Sequence, residues 1–315
     1  LSDFQSPTPE LVEACVSAAI ASHELLGKND KFEVDRVAVD AMRLALNAFE
    51  FGGQVVIGEG AKDEAPMLFN GEVLGRGTSI DWDIAVDPID GTRLAAEGVP
   101  GAVSVVAATE RDTMMNCPDV YFMHKLVGPP AAAHVLNINL SAAENIRLLA
   151  QALDKPVSSL QIAVINKPVN KPLIEEVIAS GANWYRFDEG DVAMAVAAAM
   201  PDSGVDLMIG SGGNPEGVLA AVAVRILGGF MQGKLNPRND VEYEIAVQAG
   251  FGPDRTLDAD EMVAGRRLVF VLAGVTDGIL AKGAKATGEG SIQVEVLVLD
   301  SDQPKPTLIQ VERKL

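Results

Sequence analysis

Between Leu160 and Leu227, three short apolar segments each precede an apolar helical pattern. "LQIAVI" leads into "KPLIEEVIAS", "NWYRF" into "DVAMAVAAAM", and "VDLMIG" into "PEGVLAAVAVRIL". Alternation of this kind has few solutions. Each helix must bury its stripe on the sheet its own strands build, and parallel crossovers are right-handed. The pattern predicts βαβ units on a parallel or mixed sheet, an α/β arrangement, and a length of 315 residues leaves room for a second unit. The break at "DKP" places a boundary near Pro156, giving an N-terminal α+β domain over 1–156 and a C-terminal α/β domain over 157–315.

Upstream of that boundary the signals are more varied. Thr8 reads as an N-cap with Pro9 at the first helical position, and Gly27 closes the helix. A second amphipathic helix is expected from about Glu33 to Ala48, with Val34, Val37, Ala41 and Leu44 at helical spacing. Ser141 and Glu144 form a capping box that opens a helix through Leu153. "GGQVVIGEG", "TSIDWDIAVD", "GAVSVVAAT" and "AHVLNINL" read as strands, as do "LVFVLAGV", "IQVEVLVLD" and "TLIQVER" near the end.

Composition limits the partners. With 44 acidic against 25 basic side chains the net charge is −19, which argues against nucleic acid and against an anionic membrane surface. An anionic small molecule would need local cations to approach. Cys15 and Cys117 form no CxxC pair and are expected to be reduced structural thiols. The first residues, "LSDFQSPTPE", carry neither a basic region nor an apolar one, so a cytoplasmic place is expected. No apolar run reaches the ~18 residues of a membrane span.

The stretch "DWDIAVDPIDGT" concentrates the chemistry. Ile80, Trp82, Ile84 and Val86 alternate with Asp81, Asp83 and Asp87, a strand with one acidic face. Pro88 interrupts it, Asp90 follows, and Gly91 with Thr92 opens a helix. Two carboxylates at a strand end, before free backbone N–H groups, can bind a divalent cation beside an oxyanion. An Asp-Pro turn with a helix cap uses the same residue types; the complete pattern favours the cation site. Glu59 stands between two glycines after "VVI", Glu216 opens a helix after "GSGGNP", and Asp35 lies near a helix start. Alone, each of these three reads as a cap or first-turn acid.

"DPIDGT" resembles the signature of the metal-dependent, lithium-sensitive phosphatases. The motifs "LGKNDKFEVDRVAVDAMR", "VVIGEGAKDEAPML", "VDPIDGTRL", "NCPDVYFMHKL", "EGDVA" and "GGNPEGV" are similar, in order and spacing, to the class II (GlpX-type) fructose-1,6-bisphosphatases within them. The resemblance covers about Leu25 to Gly233. It implies the layered sugar-phosphatase fold, alternating α-β-α-β-α, and hydrolysis of the 1-phosphate of fructose 1,6-bisphosphate in gluconeogenesis. It places the metal ligands on Asp35, Glu59, Asp87, Asp90 and Glu216, with Mg²⁺ or Mn²⁺ as the metal. The water-activating hydroxyl falls on Thr92, with Lys31 and Asp63 as further active-site candidates. Substrate contacts fall on Asp90, Gly91 and Thr92, on Tyr121, on Lys167, Pro168 and Val169, on Glu189, Gly190 and Asp191, and on Gly213. A small-molecule sugar phosphate is the expected partner, and a homo-oligomer, dimer or tetramer, is the expected assembly.

The chain departs from that family at three places. Val169 stands where the relatives carry a phosphate-binding arginine, which leaves Lys167, Lys171 or Arg186 to compensate. "DEGD" replaces the usual "DGD", so Glu189 takes the first acidic position. The C-terminal third is short and lacks an arginine-rich strand. These departures keep two alternatives open: a sedoheptulose 1,7-bisphosphatase or an inositol or nucleotide monophosphatase, and a sugar-phosphate-binding paralogue without turnover. Other chemistries fit less well. "DWDIA" has the spacing of aspartyl-phosphate phosphatases without the threonine they need. Pro215 occupies the third glycine position of a dinucleotide fingerprint, and no GK[ST] follows the glycines.

Overall fold

The computed structural model describes residues 6–60, 67–117, 119–288, 290–303 and 305–314. Contacts divide the chain into two compact units, one of Leu1–Met114 with Ala264–Leu315 and one of Met115–Val263. Pro156, where the sequence suggested a boundary, lies inside the second unit.

The first unit begins with helix α1 (Thr8–His23). Its cap position is Pro7, and the Thr8 hydroxyl donates to Asp300 at 2.6 Å instead of capping the helix. Helix α2 (Lys31–Leu46) starts two residues before the periodicity suggested, because the Asp30 carboxylate accepts the Glu33 N–H at 3.0 Å. Strands β1 (Gly53–Ile57), β2 (Val73–Leu74) and β3 (Trp82–Asp90) follow, then the short helix α3 (Thr92–Glu97) and strand β4 (Val103–Glu110).

The second unit holds β5 (Phe122–Gly128), α4 (Ala142–Ala152), β6 (Gln161–Ile165), α5 (Lys171–Ala179), β7 (Asn183–Phe187) and α6 (Asp191–Ala199). It continues through β8 (Leu207–Gly213), α7 (Asn214–Leu227), β9 (Phe230–Leu235), α8 (Asp240–Gln248), β10 (Leu257–Asp258) and α9 (Ala259–Met262). The chain then returns to the first unit with β11 (Leu268–Gly274), β12 (Lys285–Ala286), β13 (Ser291–Asp300) and β14 (Thr307–Lys314). The capping box of Ser141 and Glu144 is present at the start of α4. "AHVLNINL" is not a strand: Asn137 accepts the Asn139 N–H at 2.9 Å, and the buried Asn145 carbonyl oxygen takes the Asn137 N–H, so local side-chain bonds fold this stretch as turns.

The first unit's sheet runs β12-β13-β11-β4-β3-β1-β2, with β14 on β13, and β1 is parallel to β3. Helix α1 covers it through small buried residues, Ala14, Cys15, Ala18 and Ala19, against β11, β13 and β4. With few aromatics available, Val, Leu and Ala fill this core. In the second unit the order is β10-β9-β5-β8-β6-β7. Strand β6 is parallel to both β7 and β8, whereas β5 is antiparallel to its neighbours β8 and β9. Strands β6, β7, β8 and β9 therefore all point the same way, and their C-terminal ends share one end of the sheet with the start of β5. From β6 the chain crosses to β7 on one side and then to β8 on the other, so a topological switch point lies between β6 and β8. Open α/β sheets bind ligands at such a crevice. Both sheets are mixed and flanked by helices. Among the described residues no helix is long and apolar enough to cross a membrane.

Candidate active site

In the first unit, the β3–β4 register explains how one short strand presents two acids together. Asp87 pairs with Val105 and Asp90 with Val103, so three steps on β3 match two on β4. The extra residue is a β-bulge at Pro88–Ile89, a place where a strand tolerates proline. Residues three apart on a regular strand face opposite sides; the bulge returns Asp90 to the side of Asp87. Parallel pairing of β1 with β3 ends at Ile57 with Ala85, and two residues further on each chain stand Glu59 and Asp87. Gly58 lets this exit pass the Leu68 carbonyl, because a Cβ there would lie 2.0 Å from that oxygen.

Gly91 turns the chain from β3 into α3 at φ 93°, a left-handed conformation that glycine adopts without strain. Thr92 follows, its hydroxyl donating to the Ile89 carbonyl at 3.1 Å and in hydrogen-bonding reach of the Asp35 carboxyl. Burial raises the Asp35 carboxyl above its ordinary range, and the Thr92 hydroxyl partly offsets it. Helix α2 brings Asp35 here because the loop before it is bonded to the end of α3: the Gly27 and Asn29 N–H groups donate to Ala95 and Ala96 at 3.1 and 2.7 Å. Lys31, the first residue of α2, is exposed with its ammonium 5.0 Å from the Phe32 ring. Asp63 lies outside the described residues.

The other two acids of this stretch, Asp83 on β3 and Asp81 just before it, have structural tasks. Asp83, 1% exposed, pairs with Arg111 and accepts the Thr113 and Met114 N–H groups at 2.8 and 3.1 Å. Asp81 accepts the Ser79 hydroxyl at 2.6 Å.

The second unit gathers its expected residues at the C-terminal ends of its strands. Lys167 and Pro168 follow β6, Glu189 and Gly190 follow β7, Gly213 ends β8 and Glu216 sits in the first turn of α7. Tyr121 immediately precedes β5, and its carbonyl accepts the Asn214 N–H at 2.9 Å. Gly190 repeats the geometry of Gly91, with φ 94°, and starts α6 at Asp191. Asp191 is buried and receives the Lys125 ammonium at 2.7 Å; the same ammonium donates to the Gly213 carbonyl at 2.9 Å. Among the described residues, Glu216 Oε2 and Asp191 Oδ1 are enclosed without a hydrogen-bond partner. Burial pushes the Glu216 carboxyl up; Lys125 draws it back, Asp191 opposes, and Lys167 helps. The glycines of "GSGGNPEG" make room for this, since a Cβ on Gly212 would lie 1.8 Å from Asp191 and one on Gly213 1.7 Å from Glu216.

Two residues here escaped the sequence reading. Lys125 is 1% exposed inside an apolar strand, and its position in "FMHKLVG" is the one available signal. Asn170, 3% exposed, bridges the switch point by donating to the Ile165 and Ser211 carbonyls at 3.2 and 2.9 Å and accepting the Ser211 N–H at 2.9 Å. Replacing Lys125 with Met strands a buried Asp191 charge and should cost about 3–5 kcal/mol of stability. A thermal midpoint equal to that of the unsubstituted protein would contradict the pairing.

A family profile described as bacterial fructose-1,6-bisphosphatase, glpX-encoded, matches residues 5–312. The chain belongs to this family. Named relatives agree with it. The D-fructose 1,6-bisphosphatase class 2/sedoheptulose 1,7-bisphosphatase of Synechococcus elongatus is 39% identical over 317 residues, covering 93% of this chain and 91% of that protein. The protein of the same description from Synechococcus sp. strain CC9605 is 41% identical over 295 residues, covering 89% and 88%. The chain is accordingly a phosphoric monoester hydrolase of the sugar-bisphosphatase kind, with the metal-dependent mechanism of the class II enzymes. Its two mixed sheets flanked by helices agree with a sugar-phosphatase-like α/β fold.

Among the described residues no group of three or more His, Cys, Asp or Glu side chains stands in a ready-made ligand geometry. The chemistry of the expected set nevertheless suits a hard cation: in the first unit Asp35, Glu59, Asp87 and Asp90 all offer carboxylate oxygens, and in the second Glu216 has an enclosed oxygen that, among the described residues, has no hydrogen-bond partner.

Proposed function

We propose that the enzyme hydrolyses the 1-phosphate of fructose 1,6-bisphosphate to fructose 6-phosphate and inorganic phosphate, using Mg²⁺ or Mn²⁺, as a cytoplasmic step of gluconeogenesis. The observation that carries this reading is the β3 bulge, which sets Asp87 and Asp90 on one side immediately before the Thr92 hydroxyl and the Asp35 carboxyl beside it. Asp35, Glu59, Asp87 and Asp90 of the first unit and, from the second, Glu216 are the proposed metal donors. A divalent cation held by the first unit's carboxylates would supply Lewis-acid charge to the phosphoryl oxygens and the departing alkoxide.

The chain's own groups supply position. The Thr92 hydroxyl, which donates to the Ile89 carbonyl beside the Asp35 carboxyl, accepts a hydrogen bond from the attacking water and aligns it for in-line displacement. Gly91 holds Thr92 at the start of α3. Lys167 brings positive charge that an acidic protein otherwise denies a polyanion. Phosphate monoesters resist spontaneous hydrolysis, so positioning and electrostatics are the levers available.

Sedoheptulose 1,7-bisphosphate is a second substrate to test, because the relatives' names carry both activities. A panel of both bisphosphates with inositol and nucleotide monophosphates checks the reading by phosphate release. Turnover of one or both sugar bisphosphates above all monophosphates is expected; preference for inositol or nucleotide monophosphates overturns it. Size-exclusion chromatography with light scattering checks the expected dimer or tetramer.

A further inference from the structure

Helix α2 of the first unit buries one face and leaves the other uncovered. Val34, Ala38, Met42 and Ala45 are buried in the core that α2 shares with α1. On the opposite face stand Phe32, 77% exposed, and Leu44, 75% exposed. Among the described residues these are the two most exposed large apolar side chains. Leu44, which the helical spacing assigns to the apolar stripe, is left outside the core. Between the two lie Arg36 and Asp40, both open to solvent and joined at 2.7 Å. A further bond of 2.7 Å ties Arg36 to Glu33 of the same helix.

Residues 32, 36, 40 and 44 follow at intervals of four and so form one ridge along the helix. At ~1.5 Å per residue the ridge is about 18 Å long. Single exposed apolar residues are ordinary on a protein surface. Here the order matters: aromatic, cation, anion, aliphatic. Turned end for end, the ridge matches itself. A two-fold axis through its midpoint, between Arg36 and Asp40, brings each apolar end to the other apolar end and each charge to its opposite. Self-complementarity of this kind is what an isologous contact between identical chains requires. A ridge of one charge would repel its own copy, and a wholly apolar one would leave the register free. Ridges of this spacing pack side by side when their helices cross at about −50°.

We propose that α2 is a docking surface for a second copy of this chain, its ridge laid antiparallel against the same ridge of that copy. Phe32 then packs on Leu44 of the partner subunit, and Leu44 on the partner's Phe32. Arg36 faces the partner's Asp40, so alternating charges close the centre with none unpaired. The apolar ends supply the attraction, and the charges fix direction and register. This rests on the homo-oligomer expected above and gives it an interface.

Light scattering on the full chain tests the contact. Phe32→Glu and Leu44→Glu should each halve the mass of the assembly, with the dissociation constant raised by about 100-fold or more. Arg36→Asp should do the same by setting like charges at the centre. Arg36→Asp together with Asp40→Arg merely reverses the pairs and should restore the mass, which a defect in the helix itself would not allow. The double variant Phe32→Cys with Leu44→Cys, oxidised with glutathione disulfide, should form a covalent dimer. Its two cysteines are about 18 Å apart within one chain, beyond the reach of a disulfide, so any bond joins two copies. Each single cysteine variant should stay uncoupled, because the axis holds position 32 far from its own mate. A monomeric unsubstituted protein overturns the expected assembly and this contact together. An oligomer whose mass none of the single substitutions changes, or a double cysteine variant that does not couple, overturns the α2 contact alone.

Discussion

Asp87→Asn should reduce turnover by about 10³-fold or more while the thermal midpoint stays within a few degrees. The substitution preserves shape and removes one charge. Asp87 sits beyond the point where β1 and β3 pair, on the side that the Pro88–Ile89 bulge shares with Asp90. Its carboxylate is a proposed cation donor, so the loss should appear in kcat, and metal affinity measured directly by calorimetry should fall with it. Asp83→Asn is the informative control. That side chain lies on the same strand but holds Arg111 and two backbone N–H groups. It should lose stability rather than metal affinity. The reverse assignment of these two outcomes would contradict the roles given to the strand's acids.

Gly213→Ala should be nearly as damaging to activity, by about 10²-fold, with the opposite sign in stability. Gly213 has φ −69° and ψ 140°, ordinary extended geometry that alanine adopts freely. The damage is steric: the new methyl would stand 1.7 Å from Glu216 Oε2 and 2.4 Å from its carboxyl carbon, so the side chain must leave its enclosed place. In the metal-free protein that place is costly. Burial holds the Glu216 carboxyl above its ordinary value of 4.5, so the folded state keeps a proton that the unfolded chain has released. For a raised acid, stability is lost as pH climbs from about 4.5 through the folded pKa. Gly213→Ala and Glu216→Gln should both relieve this penalty and raise the metal-free thermal midpoint at neutral pH relative to pH 4. A midpoint lowered at neutral pH by Glu216→Gln would contradict the assignment.

How far these features were legible depends on the range of the interactions that fix them. Strand–helix alternation from β6 to α7 is local, and every one of those six elements formed as expected. The capping box at Ser141 is equally local. Strand β5 was hidden because His124 and Lys125 interrupt its apolar run, and Lys125 is held there by Asp191, 66 residues away, and by the Gly213 carbonyl. The division into units was hidden for a similar reason. Strand β11 pairs with β4 across more than 150 positions of sequence, and no pattern within either strand specifies that partner. In the acidic stretch the residue types were legible, but the bulge that turns Asp87 and Asp90 to one side depends on register with β4.

The central claim is metal-dependent hydrolysis of a sugar bisphosphate, and phosphate release from fructose 1,6-bisphosphate before and after chelation tests it most directly. The account predicts release of one phosphate per sugar with fructose 6-phosphate as product, loss of turnover with a chelator, and recovery on adding Mg²⁺ or Mn²⁺. Release that persists undiminished in chelator would contradict it, as would no release from this sugar or from sedoheptulose 1,7-bisphosphate with either metal.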